Sequence, residues 1–297
     1  MTEQIVNEII NRHPSQKNIY NLYQNMDEYE KQSFLSFIEI IKKAYALTES
    51  EIIDCYDMLV KDTLEESAYF YRHGSYRYAT YHEVDEYMKS KSEHYMRYYQ
   101  VGILMSLFLW PNHVENRRHF IKTFKEKRGR NYLEVGVGHG YYHSEAVANF
   151  SYETFLGIDI SEESLNMTRL VLESRAECQH KRHNLELTDF LDFETNQTFD
   201  AIVSGEVLEH VEKPREFLTK MAQIANEDTF VYVTTALNSP VIDHIFLFRH
   251  PDELYDLFHE SGLQITDMEF FSYQTKPFET CIKKKLPVTV AIMAHKL

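Results

Sequence analysis

The chain has 297 residues, 43% hydrophobic and 26% charged, with a formal net charge of −15 and a pI near 5.5. This is ordinary globular composition, long enough for one large or two smaller cores. An acidic chain without a basic stripe lacks the charge that neutralises phosphates, so nucleic acid is disfavoured as a partner.

The best basic segments, 122–130 and 283–285, are short and read as solvated faces. Three widely spaced cysteines, Cys55, Cys178 and Cys281, suit neither a disulfide framework nor a metal-ligand spacing and fit a reducing compartment. The N-terminus has no signal-peptide core, and the longest apolar run, 101–110, is about half a membrane span. The expectation is a cytoplasmic protein without a membrane partner.

Up to about residue 128 the pattern is helical. Apolar residues recur three and four apart, as Ile5, Ile9 and Ile10 and then as Phe34, Phe37, Ile38 and Ile41. Thr48 and Glu51 read as a capping box opening a helix that ends around 73–75. A single helix is expected from about 83 to 110, halted at Pro111.

From 131 onward, short apolar runs alternate with amphipathic segments. Strands are expected at 132–137, 155–160, 185–188, 199–204, 230–234, 265–271 and 287–294. Helices are expected from about 141, at 161–175 with Ser161 as N-cap, at 214–226 and from about 251 to 262. Such alternation predicts a parallel sheet covered on both faces. No helix is expected between the last two strands, which should then pair antiparallel.

Glycine is scarce, nine residues in all, so the run E-V-G-V-G-H-G at 134–140 stands out. It lies between a strand and a helix, where Gly136, Gly138 and Gly140 would let the backbone turn tightly against a ligand. The triplet alone would suit nicotinamide, flavin or S-adenosylmethionine (SAM). Asp159, 19 residues beyond Gly140 and at the end of the next strand, stands where an adenosine ribose needs an acceptor. Asp189, after the third strand, could accept from the adenine amino group, with Phe190 packing nearby.

On these residues, 131–297 resemble the class I SAM-dependent methyltransferases. The resemblance implies an α/β fold: a Rossmann-like seven-stranded sheet (129–297) behind an N-terminal all-helical lid domain (1–128). It implies SAM as cofactor. Glu134 and the three glycines would cradle its methionine end, Asp159 and Ile160 would hold the ribose, Asp189 and Phe190 the adenine, and Gly205 would border the site. The spacing G-x-G-x-G differs from the G-x-G-x-x-G usual for nicotinamide enzymes.

Beyond the fourth strand, Glu206, Glu209 and His210 would share one face if the segment after Gly205 turns helical. His244 follows the fifth strand and His250 opens the next helix. This E-x-x-E-H with a later His resembles the ubiquinone-pathway phenol O-methyltransferases and the small-RNA 3′-terminal ribose O-methyltransferases. The resemblance implies Glu206, Glu209, His210 and His244 as ligands of a divalent cation (Mg, Mn, Fe or Zn), with Glu206, His210 and His244 in the catalysis. Metal-free relatives keep the same motif as scaffold; in that case His210 or His244 would be the general base. His139 reads as orienting the glycine loop.

Nine tyrosines crowd 69–99, with Arg72, His73, Arg77, His82, His94 and Arg97 interleaved. They suggest an aromatic, polar-tipped lid, for which Tyr78, Tyr81, Tyr99 and, beyond the glycine loop, Tyr142 are the candidates. The expected reaction is O-methylation of a small organic, specialised-metabolite-type acceptor. N-methylation with a His base and RNA ribose 2′-O-methylation are the alternatives, and a homodimer stays open.

Overall fold

The computed structural model describes residues 2–297 apart from Lys17, Glu93 and His94, so His94 of the aromatic segment lies outside the described residues. Seven helices lead: α1 (Thr2–Arg12), α2 (Asn18–Gln24), α3 (Glu28–Tyr45), α4 (Glu49–His73), α5 (Tyr81–Lys91), α6 (Tyr95–Leu109) and α7 (Pro111–Phe124). Capping boxes open three of them: Asp27 with Glu30, Thr48 with Glu51 and Thr80 with Glu83. Helix α4 stops on Gly74, which takes φ 74° to close the last turn.

The single helix expected at 83–110 is two. Thr80 starts α5 two residues early, and Ser92 turns extended at φ −170° before α6 resumes. Pro111 ends one helix and opens another, since its fixed φ and missing N–H suit a first helical position.

The second half alternates strand and helix except between the third and fourth strands, which a loop joins. Strands β1 (Arg128–Val135), β2 (Ser151–Asp159), β3 (Arg182–Leu187), β4 (Ala201–Gly205) and β5 (Phe230–Leu237) run parallel. Between and after them come α8 (Tyr141–Asn149), α9 (Glu162–Ser174), α10 (Pro214–Ile224) and α11 (Pro251–Glu260). The last strands are β6 (Leu263–Ser272) and β7 (Val288–Lys296), and β7 lies antiparallel between β5 and β6. The sheet order is β3-β2-β1-β4-β5-β7-β6, the Rossmann-like arrangement expected. One correction concerns the final pair: a short helix, α12 (Phe278–Lys284), does stand between β6 and β7.

Side chains alternate between the sheet's two faces. Leu133, Val135, Ile158 and Ile202 pack with Phe217, Leu254 and Phe258 of α10 and α11. On the other face Tyr132, Phe155, Ala201 and Val203 belong to a core that also holds Ile38, Ile52, Phe108 and Phe120. The helical half and the sheet therefore share one continuous core, with α7 as the seam: Phe124 stacks on Phe150 at 5.1 Å and meets Tyr132 and Tyr232 edge-on. Across this seam Arg117, fully buried on α7, pairs with Glu30 of α3 at 2.6 Å, and Arg118 clamps the same carboxylate at 2.8 Å. Among the described residues no helix is long and apolar enough to cross a membrane. The three cysteines are free and buried.

Candidate active site

A cavity of about 970 Å³ opens over the carboxyl ends of β1, β2 and β4, where ligands bind in sheets of this order. Gly136 and Gly138, at φ 79° and 52°, form its floor. Asp159 fixes them: one oxygen accepts from the Gly138 N–H at 3.0 Å and the other from the Ser161 N–H at 2.8 Å. Burial raises the Asp159 pKa, against the lowering effect of these N–H groups. Ser161 caps α9 through the Ser164 N–H, as expected.

Ile160, Asp189, Phe190 and Leu191 continue the wall. Phe190 is buried on Phe217, and Asp189 is exposed, held in a turn by the Leu191 N–H at 2.9 Å. Ile160, 54% exposed, and Leu191, 37% exposed, are large apolar groups open to the cavity rim and offer a slot for a planar ring. Together the bent glycine backbone, the Asp159 acceptor and this slot fit an adenosyl-amino acid.

Two members of the expected cofactor set lie off the wall. Glu134 shares the Tyr132 face of β1, so it points beneath the loop, accepting from Tyr132 Oη at 3.1 Å with His143 at 3.4 Å. Gly140 is the turn into α8 at φ 78°, where an added Cβ would lie 2.7 Å from the Thr168 Cα. Gly140→Ala is expected to cost about 1–3 kcal/mol of stability through backbone strain and to weaken binding of S-adenosylhomocysteine (SAH). Thermal unfolding and calorimetry check this; an unchanged melting temperature would show that α9 simply gives way. His139 accepts the Tyr141 N–H at 3.1 Å and so shapes the loop as expected, while burial pushes its pKa down to about 4.

At the far end of the cavity the chain after β4 makes a short 3-10 turn, Leu208–His210, instead of an α-helix. Ligand atoms of Glu209, His210 and His244 lie within 4.8 Å of one another, and among the described residues no other such group of three forms. Glu206 stands outside it. Its φ of 54° sets it before the turn, where its backbone N–H bonds Thr234. The residue is half-buried, with its Oε1 buried and unpaired, and desolvation followed by the Glu209 charge raises its pKa.

Glu209 is fully buried. Its Oε2 accepts from Thr235 at 2.8 Å and its Oε1 has no hydrogen bond, with His244 Nε2 3.9 Å away. His210 and His244 face each other edge-on at 4.7 Å. The Asp243 backbone carbonyl accepts from His210 Nδ1–H at 2.9 Å, and against the lowering effect of burial the Asp243 and Glu209 charges raise the His210 pKa. Burial, then the His210 charge, pushes His244 down to about 3. One carboxylate with an orphaned oxygen and two imidazoles suit a hard or borderline divalent ion.

Of the four lid candidates, Tyr81, Tyr99 and Tyr142 line the cavity. Tyr78 does not; it turns away against Tyr87 at 5.4 Å, and Tyr76, two residues earlier, is the one buried beside His244. Sequence reasoning missed Asp243, which receives the Tyr99 hydroxyl at 2.7 Å and orients His210. Its position next to His244 was the one signal available. His250 is the N-cap of α11 and takes no part in the site.

The comparisons agree with this architecture. Residues 112–268 match the family model described as a methyltransferase domain. The mitochondrial ubiquinone biosynthesis O-methyltransferase of Dictyostelium discoideum is 25% identical over 195 residues, covering 57% of this chain and 60% of the relative. The Coxiella burnetii ubiquinone biosynthesis O-methyltransferase is also 25% identical, covering 63% of this chain and 87% of its own. Among solved structures, the N-methyltransferase NodS of Bradyrhizobium japonicum with bound SAH shares the fold, with a TM-score of 0.51 and 14% identity over 72% of this chain and 98% of NodS. With more than half its length in the family match and a floor shaped for an adenosyl group, the chain belongs to the methyltransferase-domain family and is a class I SAM-dependent methyltransferase.

Proposed function

We propose that this enzyme methylates an oxygen of a small organic acceptor, with residues 1–128 forming the substrate-side wall and lid. One observation carries the reading: a single cavity joins the glycine loop and Asp159 to His210 and His244, with Tyr81, Tyr99 and Tyr142 between. The relatives named as ubiquinone biosynthesis O-methyltransferases support oxygen as the acceptor atom.

The chemistry asks little covalent help. SAM, when bound, supplies an activated methyl on a sulfonium. The chain's task is to align the acceptor oxygen within about 3–3.5 Å of it and to exclude water. The glycine loop and Asp159 fix the donor; the tyrosine wall covers the acceptor. His210 is held by the Asp243 carbonyl and lines the same cavity, which makes it the group to take the acceptor's proton.

The unpaired Glu209 Oε1 favours a metal-assisted form of this reading. A divalent ion would be held by Glu209, His210 and His244 and would lower the pKa of an acceptor hydroxyl. Wild-type protein is expected to give binding heat with Mn²⁺ alone, and Glu209→Gln to lose it while still binding SAH. Absence of Mn²⁺ or Mg²⁺ binding to the wild type would leave His210 as the base. The reaction itself is tested by SAH release with phenols, catechols and amines, before and after chelation. Turnover of amines alone would defeat the O-methylation reading. Reducing, cytoplasmic conditions suit the three buried thiols.

A further inference from the structure

His113 on α7 belongs neither to the glycine loop nor to the Glu209 cluster, yet it lines the cavity between them. Its protonation follows from oxygen positions. Ser106 Oγ lies 2.6 Å from the Ile103 carbonyl oxygen. Two oxygens hold that separation only with a proton between them, and the hydroxyl carries the one available.

Toward His113 Nδ1, 2.8 Å away, Ser106 can then only accept. The His113 proton therefore sits on Nδ1, and Nε2 is a bare lone pair with no hydrogen bond among the described residues. Trp110 packs on the ring at 5.1 Å and is itself anchored to the Tyr56 hydroxyl at 3.0 Å, so the imidazole is held in place. Burial pushes its pKa down to about 4, which keeps the ring neutral at pH 7.

The cavity around it is apolar and short of cations. Met96, Ile103, Leu107 and Trp110 form the nearby wall, and Lys213 is the sole Lys or Arg on the lining among the described residues. A carboxylate or phosphate on the acceptor would lose its hydration there without a counter-charge.

We propose that His113 Nε2 receives a hydrogen bond from a hydroxyl beside the one that is methylated, and that the acceptor is an uncharged, polyhydroxylated aromatic or alicyclic compound. This rests on the methyltransferase reading above. As the oxygen–carbon bond forms and the carbon–sulfur bond breaks, the sulfonium becomes a thioether and the proton of the reacting hydroxyl leaves through His210, while His113 stays neutral and only holds the neighbouring hydroxyl in place.

Imidazole ¹⁵N NMR of the SAH-loaded protein, with His113 assigned through His113→Gln, tests the proposal without turnover. The expected result is the Nδ1–H tautomer, lost in Ser106→Ala, with an Nε2 signal that moves when catechol is added. An Nε2–H tautomer overturns it, as does catechol that leaves His113 unmoved. In the methylation of catechol, His113→Leu is expected to lower kcat/KM about tenfold, chiefly through KM, with part recovered in His113→Gln. Equal values in wild type and His113→Leu also overturn it. Calorimetry on the same samples separates the two failures: both variants should bind SAH as the wild type does, whereas no SAH binding by the wild type would defeat the methyltransferase reading itself.

Discussion

Asp159→Asn is expected to weaken SAH binding at least about a hundredfold, or roughly 2.7 kcal/mol. The carboxylate has two tasks. It accepts the N–H groups of Gly138 and Ser161, which fixes the glycine loop to the end of β2, and it keeps a further lone pair on each oxygen for a ribose hydroxyl. Hydrogen bonds to an ionised group contribute about 1.5–3 kcal/mol each, so loss of the ribose contact and loosening of the loop together account for the figure. An amide in its place presents a donor to one N–H or one hydroxyl, which adds repulsion to the loss. Melting temperature and circular dichroism should stay near wild type, because Asp159 anchors a loop and not the core. SAH affinity within about threefold of wild type would mean that the ribose is held elsewhere.

Glu30→Gln should lower unfolding free energy by about 3–5 kcal/mol, the cost of breaking a buried pair and leaving one charge uncompensated. The side chain of Arg117 has no exposure, and without the Glu30 charge it would stand beside Arg118 with the Tyr141 hydroxyl at 3.3 Å and the Phe108 ring at 4.8 Å, neither of which carries a counter-charge. Burial raises the Glu30 pKa, but the Arg118 hydrogen bond and the charges of Arg117 and Arg118 outweigh it, so the folded-state value lies below the usual 4.5. A carboxylate lowered in the folded state adds stability that is present above its unfolded pKa and fades as pH falls through the folded one. Urea unfolding should therefore show wild type losing stability in that acid window, and Glu30→Gln lacking that component. Equal midpoints for the two proteins at neutral pH would mean the pair contributes nothing.

What the sequence disclosed was whatever acts locally. The glycine run, the Thr48 and Ser161 caps and the strand-end acids each depend on neighbours within a few residues, and each stands where the pattern put it. The antiparallel ending of the sheet was expected because no helix was read between the last two strands; the pairing holds, but α12 stands between them, missed because seven residues carry too little periodicity. Three features needed the third dimension. Glu206 was grouped with Glu209 by helical spacing, and a left-handed backbone at one residue separated them. Tyr78 and Tyr76 are equivalent in composition, and only packing decides which turns inward. His113 and Asp243 enter the site from a helix and a loop that tertiary folding alone brings to the cavity.

The scarcity of cations on that wall has a consequence for turnover. The donor carries one more positive charge than the spent carrier it becomes, and the carboxyl groups of Asp159, Asp189 and Asp243 line the cavity that would hold it. Coulomb attraction in a partly dehydrated site grows as the dielectric falls, so calorimetry is expected to find the charged reagent bound more tightly than its neutral product. On that expectation the lining that favours the charged form would hold the neutral one less firmly, and each cycle would end with the grip already loosened.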